Sequence, residues 1–189
     1  MSQKGSQFER DVCRQLSLWW SNGTNDDIFW RTQTSGARAT VRDKQGKRTF
    51  GQYGDVQATD PIGQPLLNNL SIEIKRGYSK SSFADMVEAS DTAAIQQFDN
   101  FIGQAVRDSR KAGVSFWWLI TRRDRKEIWL TIPKTLYMRL SKRDTGLKTS
   151  IPKVLVSYHS KALETELRIV MMPFALFLKK VNPIDLRAI

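Results

Sequence analysis

Residues 114–121, VSFWWLIT, form a continuously apolar run. A run of this kind reads as a central strand covered on both faces, which needs structure layered on either side of a sheet. The next strand follows across a charged turn at residues 127–132, EIWLTI. Ahead of the run, the pattern predicts one long helix over about 83–112, with Ile95, Phe98, Ile102, Ala105 and Val106 on one stripe. Gly113 ends it, as glycine commonly does just past a helix.

The chain opens with a second predicted helix, SQFERDVCRQLSLWW at residues 6–20. Ser6 followed by Glu9 is a capping-box pattern. Phe8, Val12, Leu16, Trp19 and Trp20 form one apolar arc, and Glu9 falls inside it. An unpaired carboxylate is expensive to bury. Glu9 therefore either serves as the cap or points into a polar cavity.

Between these helices lie strands at 28–32 (IFWRT) and 53–59 (YGDVQAT), the second entered through Gly54. Turn chemistry at DPIGQP leads into the strand LLNNLSIEIK. Residues 55–75 are thus expected to form a hairpin, with Asp55 near the start of one arm and Glu73 near the end of the other. After residue 132 the reading is a helix at 133–141, strands near 153–158 and 166–172, and a helix at 173–180. No internal repeat or low-complexity tract interrupts the chain. The order helix, three strands, helix, strand describes an α/β core over residues 1–132, with a mixed central sheet flanked by helices. Residues 133–189 form an α+β extension expected to pack on that core, as a possible dimer or DNA contact.

Bulk properties narrow the partners. No apolar run reaches the ~18 residues a membrane span needs. The polar start, MSQKGSQFER, shows no secretory signal, and the single cysteine makes no internal disulfide. A cytoplasmic protein is expected. The net charge is +11. It is uneven: residues 1–121 carry 15 Lys/Arg against 13 Asp/Glu, and residues 122–189 carry 15 against 6. A near-neutral part holding acids beside a strongly basic part suits an enzyme that binds DNA electrostatically and needs carboxylates at its centre.

The chemistry turns on SIEIKRG, residues 71–77. Ile72 and Ile74 face one way, Glu73 and Lys75 the other. One reading is a half-buried strand with a surface ion pair worth roughly 0–1 kcal/mol. The other places that face in an active site together with Asp55. Two carboxylates on adjacent strands can share a hard Mg²⁺, which takes few protein oxygens and keeps waters and phosphate oxygens. Such an ion lowers the pKa of a bound water and polarises a phosphodiester. Lys75, two residues on and roughly 6.6 Å along the strand, can stabilise the charge that develops. The Ile74 carbonyl is a plausible further ligand, and Glu9 can join directly or through water.

Asp55…Glu73-x-Lys75 resembles the core motif of the PD-(D/E)XK nuclease superfamily. The blocks KGSQFERDVCRQL, WRTQTSGARAT, GDVQATD and SIEIKRG are similar in order and spacing to archaeal-type Holliday junction resolvases and their phage relatives. The resemblance covers about residues 4–121. It implies a restriction-endonuclease-like fold and a metal-dependent endonuclease, structure-specific for branched DNA, in recombination, repair or phage DNA processing. It further implies Glu9, Asp55, Glu73 and Lys75 as catalytic residues, Mg²⁺ as cofactor with Mn²⁺ substituting, and a homodimer acting on DNA. Ser35-Gly36 begins the family's DNA-contacting loop. Arg38, Arg42, Lys44, Lys47 and Arg48 in that segment, with Arg31, Arg76 and Lys80, complete the expected DNA contacts; a solvated loop is the plainer reading of 35–51. Two features depart from the family: the usual Pro before the Asp is Gly54, and the 35–51 loop is longer and more basic. Residues 133–189 carry no motif of it. A restriction- or repair-type nuclease on the same scaffold, or a catalytically silent DNA-binding protein, are the alternatives.

Other reactive residues offer less. His159 is the only histidine and reads as an ordinary strand residue. Cys13 reads as core rather than nucleophile. Gln96 and Gln97 read as solvated rather than site-facing, and Trp117, Trp118 and Trp129 as core rather than base-stacking platforms.

Overall fold

The structure is a computed structural model that describes residues 3–32, 53–77, 81–90, 93–143, 147 and 150–187. Its centre is a five-stranded mixed sheet. In chain order the elements are α1 (Gln3–Trp20), β1 (Phe29–Arg31), β2 (Val56–Ala58), a 3₁₀ turn (Pro61–Gly63), α2 (Gln64–Leu67) and β3 (Leu70–Arg76). Then come α3 (Ala84–Glu88), α4 (Gln97–Ala112), β4 (Phe116–Arg122), β5 (Ile128–Pro133) and α5 (Lys134–Arg143). The chain closes with β6 (Val154–Ser160), β7 (Thr165–Pro173), α6 (Phe174–Lys180) and α7 (Pro183–Arg187). The sheet order is β3-β4-β5-β7-β6. Only the β3–β4 pair is parallel among these, with α4 as its crossover; the rest are antiparallel.

The apolar run becomes β4, second from the edge, and alternation divides its side chains between two cores. Trp118 and Ile120 join Phe8, Val12 and Leu16 of α1 on one face. Trp117 and Leu119 join Phe98, Ile102 and Ala105 of α4 on the other. The same period in β3 sends Ile72 and Ile74 to the α1 side, so Glu73 and Lys75 face α4. Trp117 and Trp118 are core residues, as expected. Cys13 is fully buried, and burial pushes its thiol up to about 12, which leaves it inert. His159 is exposed beside Glu166. No helix among the described residues is long and apolar enough to cross a membrane.

Three expectations are corrected. Residues 55–75 are not a hairpin. The intervening segment is filled by the 3₁₀ turn and α2, with Asp60 capping the turn through Ile62 N at 2.9 Å. β2 pairs with β1 instead, and its approach to β3 is made by Asp55 N donating to Ile72 O at 2.7 Å. Second, α1 begins ahead of Ser6, so Ser6 lies inside the helix and Ser6–Glu9 is not a capping box. Third, the long helix is two. Residues 83–112 hold α3 and α4, and Ile95 lies between them, 46% exposed. Gly113 does end α4, at φ +71°.

The C-terminal strands reach back to α4. Asp99, buried in its first turn, accepts from Tyr158 Oη at 2.9 Å, Ser160 Oγ at 2.6 Å and Ala162 N at 3.0 Å. Gly103 lies so close to this hairpin that a Cβ there would stand 2.9 Å from Ala162 Cβ. The β6–β7 hairpin thereby fixes the helix that faces Glu73.

Candidate active site

β3 is an edge strand, and the edge not paired with β4 carries the acid cluster. Asp55 is anchored twice against it: its N–H donates to Ile72 O, and its Oδ2 accepts from Ile74 N at 2.7 Å. A residue's N–H and C=O point to the same side of a strand, so the Ile74 carbonyl faces this edge too. Glu73 is 2% exposed and Asp55 5%. Lys75 Nζ is ion-paired and hydrogen-bonded to Glu73 Oε1. Gln104 Nε2 donates to the same Oε1 at 2.6 Å from α4.

Glu9 enters from α1. It is buried, and Arg31 Nε of β1 stands 3.2 Å from its Oε2. Glu9 is therefore a buried carboxylate with a charged partner rather than a cap. Its carboxyl is raised by burial and then by the charge of Asp55, against the pull of Arg31 and Lys75. The structure thus brings Glu9, Asp55, Glu73 and Lys75 within electrostatic reach of one another. Arg31 stands beside Glu9, and Arg76 lies 3.9 Å from Asp124 on the neighbouring turn. Ser35, Arg38, Arg42, Lys44, Lys47, Arg48 and Lys80 lie outside the described residues.

Two participants escaped the sequence reading. Gln104 contacts Glu73, and Asp108, one turn further on, bonds Gln104 and is itself raised by burial. Gln96 and Gln97 do not face the site: Gln97 is exposed, and Gln96 bonds Ala94 O at 2.9 Å. The signal for Gln104 was its i, i+4 spacing to Asp108 on the side of α4 next to Phe101 and Ala105.

Burial raises both Asp55 and Glu73, and the charge of Asp55 raises Glu73 further, to about 8; Lys75 and the Ile74 N–H oppose this. Two buried acids sharing one ammonium leave an excess of negative charge whenever both ionise. Such an excess attracts a cation. Among the described residues no three His, Cys, Asp or Glu side chains form a ready-made metal cage. Two carboxylates and a carbonyl nevertheless match a hard ion that keeps most of its waters. The donor set fits a divalent cation held by Asp55, Glu73 and Ile74 O.

Between pH 4.5 and about 8 the folded Asp55–Glu73 pair together holds a proton that the unfolded chain releases, so stability falls as pH rises through that window. Thermal melts in chelator from pH 5 to 8.5 are expected to show this fall, and Glu73→Gln to flatten it. Excess Mg²⁺ should stabilise the wild type most at the alkaline end, where it replaces the proton. A wild type and Glu73→Gln that melt in parallel across the window would refute the buried charge excess.

The model of a family described as "Phage putative PDDEXK endonuclease" matches residues 1–188. The match runs through residues 133–188, where the sequence shows no recognisable motif. No curated protein and no solved structure is significantly similar to the chain.

Proposed function

We propose that this chain, which belongs to the phage putative PDDEXK endonuclease family, is a Mg²⁺-dependent endodeoxyribonuclease acting on branched DNA, with Holliday junctions as the leading substrate. Membership supports a nuclease, and PD-(D/E)XK nucleases generally use divalent ions. The observation that carries the site is the buried Asp55–Glu73 pair at the free edge of β3, with Lys75 bonded to Glu73.

A bound divalent ion activates water and polarises the phosphodiester. The chain's own residues do the rest. Asp55 is held rigid by the Ile72 and Ile74 backbone, so its free lone pairs have a fixed direction. Gln104 fixes the Glu73 carboxylate from α4, and Asp108 orients Gln104. Asp55, Glu73 and the Ile74 carbonyl would hold that ion, and the Lys75 ammonium, paired with Glu73, would meet the negative charge that develops on the phosphate as the bond breaks. Glu9 adds negative potential from α1, and Arg31 restrains it. Phosphate contacts that give affinity come from the basic residues named above, including those of the 35–51 segment. Two symmetric nicks at a junction need two such sites, hence a twofold dimer.

The test is a cleavage panel of junction, flap and linear duplex in Mg²⁺, Mn²⁺, Ca²⁺ and chelator, with the mass of the DNA-bound species measured alongside. Expected are junction cutting in Mg²⁺ and Mn²⁺, binding with little cutting in Ca²⁺, whose longer, looser coordination misplaces the water, and a dimer on the DNA. Preferred cutting of linear duplex would move the assignment to a restriction- or repair-type enzyme. Binding without cutting under every metal would leave a silent DNA-binding protein.

A further inference from the structure

A second concavity adjoins the acid cluster and takes no part in the chemistry described above. It is a cavity of about 230 Å³ at the carboxyl ends of β3 and β4, the parallel pair of the sheet. Crevices outside the carboxyl ends of parallel strands are where α/β sheets bind ligands. Its apolar walls are aromatic: Phe83, Phe98, Phe101 and Trp129. Phe98 and Phe101 stand edge to face with centroids 6.4 Å apart. Its charged lining is net cationic, with Arg122, Arg123 and Lys126 against one acid, Glu127.

Lys75 joins the two sites. It lines this cavity, with Nζ 6.0 Å from the Phe101 ring centroid, while bonding Glu73 in the acid cluster. Whatever fills the cavity therefore lies against the ammonium that meets the scissile phosphate. Aromatic walls with a net cationic lining are complementary to a nucleotide: a flat π-face inside, a phosphate on either side outside. Size agrees, because a ~150 Å³ apolar cavity accepts a benzene ring and this one is larger. A base in a duplex is stacked and out of reach, so the occupant has to be unpaired.

Resting on the nuclease reading, we infer that this cavity receives an unpaired nucleobase next to the scissile phosphate, and that the enzyme selects DNA carrying such a base, at a branch point, bulge or flap. The hydroxyls of Ser81, Ser82 and Thr121 on its wall offer adaptable hydrogen bonds, so the recognition is tolerant of base identity.

The test is equilibrium binding in chelator, which does not depend on cutting. Three duplexes of one sequence are compared: fully paired, with one unpaired purine, and with an abasic residue in its place. The abasic control keeps the flexible backbone and removes only the base. The wild type is expected to bind the purine duplex roughly tenfold more tightly than the abasic one. Ser81→Leu fills the cavity from its edge with a side chain that has no π-face, and Phe83→Ala removes a wall from a partly buried position. Each is expected to erase the tenfold difference and to keep the affinity for paired duplex, with circular dichroism confirming the fold. Equal wild-type affinity for purine and abasic duplexes overturns the inference. So does a Ser81→Leu protein that retains the preference. Loss of the nuclease reading shows separately, as a failure to cut junction, flap and linear duplex in any of the metals with the binding difference intact.

Discussion

Asp55→Asn, Glu73→Gln and Lys75→Ala are each expected to lower single-turnover cleavage by about 10³-fold, while binding to the same DNA stays within a few-fold of wild type. The separation follows from where the residues sit. Asp55 and Glu73 are almost wholly enclosed, and Lys75 is mostly covered against Glu73. Little of their surface is free to hold a DNA backbone in the ground state. In the proposed role their interactions with substrate form only as charge moves onto the phosphate, and such interactions raise the rate rather than the affinity. Removing a carboxylate also takes negative charge away from the approaching backbone. Without metal, the Asn and Gln variants should therefore bind as tightly as wild type or more so. Glu9→Gln is expected to fall between, since Arg31 already offsets its charge. Gln104→Ala should lose less, about tenfold, because it orients Glu73 without meeting substrate; Gln104→Glu should lose more, by adding a third acid to the buried pair. Cleavage and binding for all variants at one salt concentration decide the matter. Near wild-type cutting by Glu73→Gln or Lys75→Ala would remove the active site from this edge of β3.

How far this site was legible depends on the range of each interaction. Glu73 and Lys75 share a face because a strand alternates, which is local and visible. The inward aim of Glu9 follows from helical period alone. The spacing from Asp55 to Glu73 marked a motif, but not the path between its ends. A 3₁₀ turn capped by Asp60 and a short helix occupy residues that read as a simple turn. Gln104 was missed for a longer-range reason. Residues 83–112 contain no Pro, and their only Gly lies inside α4, so the pattern ran through as one helix and its register gave no priority to Gln104. The break between α3 and α4 is held from elsewhere in the chain. Lys161, on the β6–β7 turn, donates to the carbonyls of Ser90 and Ala93 at 2.8 Å each. Those are carbonyls that a continuous helix would have used internally. The partner lies about seventy residues away, where no local pattern reaches. The aromatic cavity was hidden likewise: Trp129 reads as one more core residue until β5, α4 and the segment after β3 are brought together.

Gly54 is where the chain departs from the motif it resembles, and its backbone shows why. It adopts φ +86°, and a Cβ built there would stand 2.8 Å from Ile72 O and 3.2 Å from Ile72 N. Proline, held near −65°, cannot take that conformation. The crowded atom is the same carbonyl that accepts the Asp55 N–H, and Gly54 O itself accepts from Thr32 Oγ1 at 3.0 Å. This position thus packs the backbone of the Asp55 strand directly against β3. A methyl group there meets backbone on a β-strand held by β4, so relief has to come from the Asp55 side. Gly54→Ala is therefore expected to destabilise by about 2–4 kcal/mol, from the left-handed conformation and the collision together. In the fraction that folds it should cut about 10²-fold more slowly, the usual result of shifting a catalytic group by an ångström. Gly54→Pro should be worse on both counts. Gly77, at φ +95° with nothing near its Cβ position, is the matched control: Gly77→Ala carries the conformational strain without the collision, and its cost should stay near 1 kcal/mol. Urea melts and single-turnover cleavage of the alanine variants separate the two contributions. Gly54→Ala behaving like Gly77→Ala would mean that close packing against Ile72 does not set the position of Asp55.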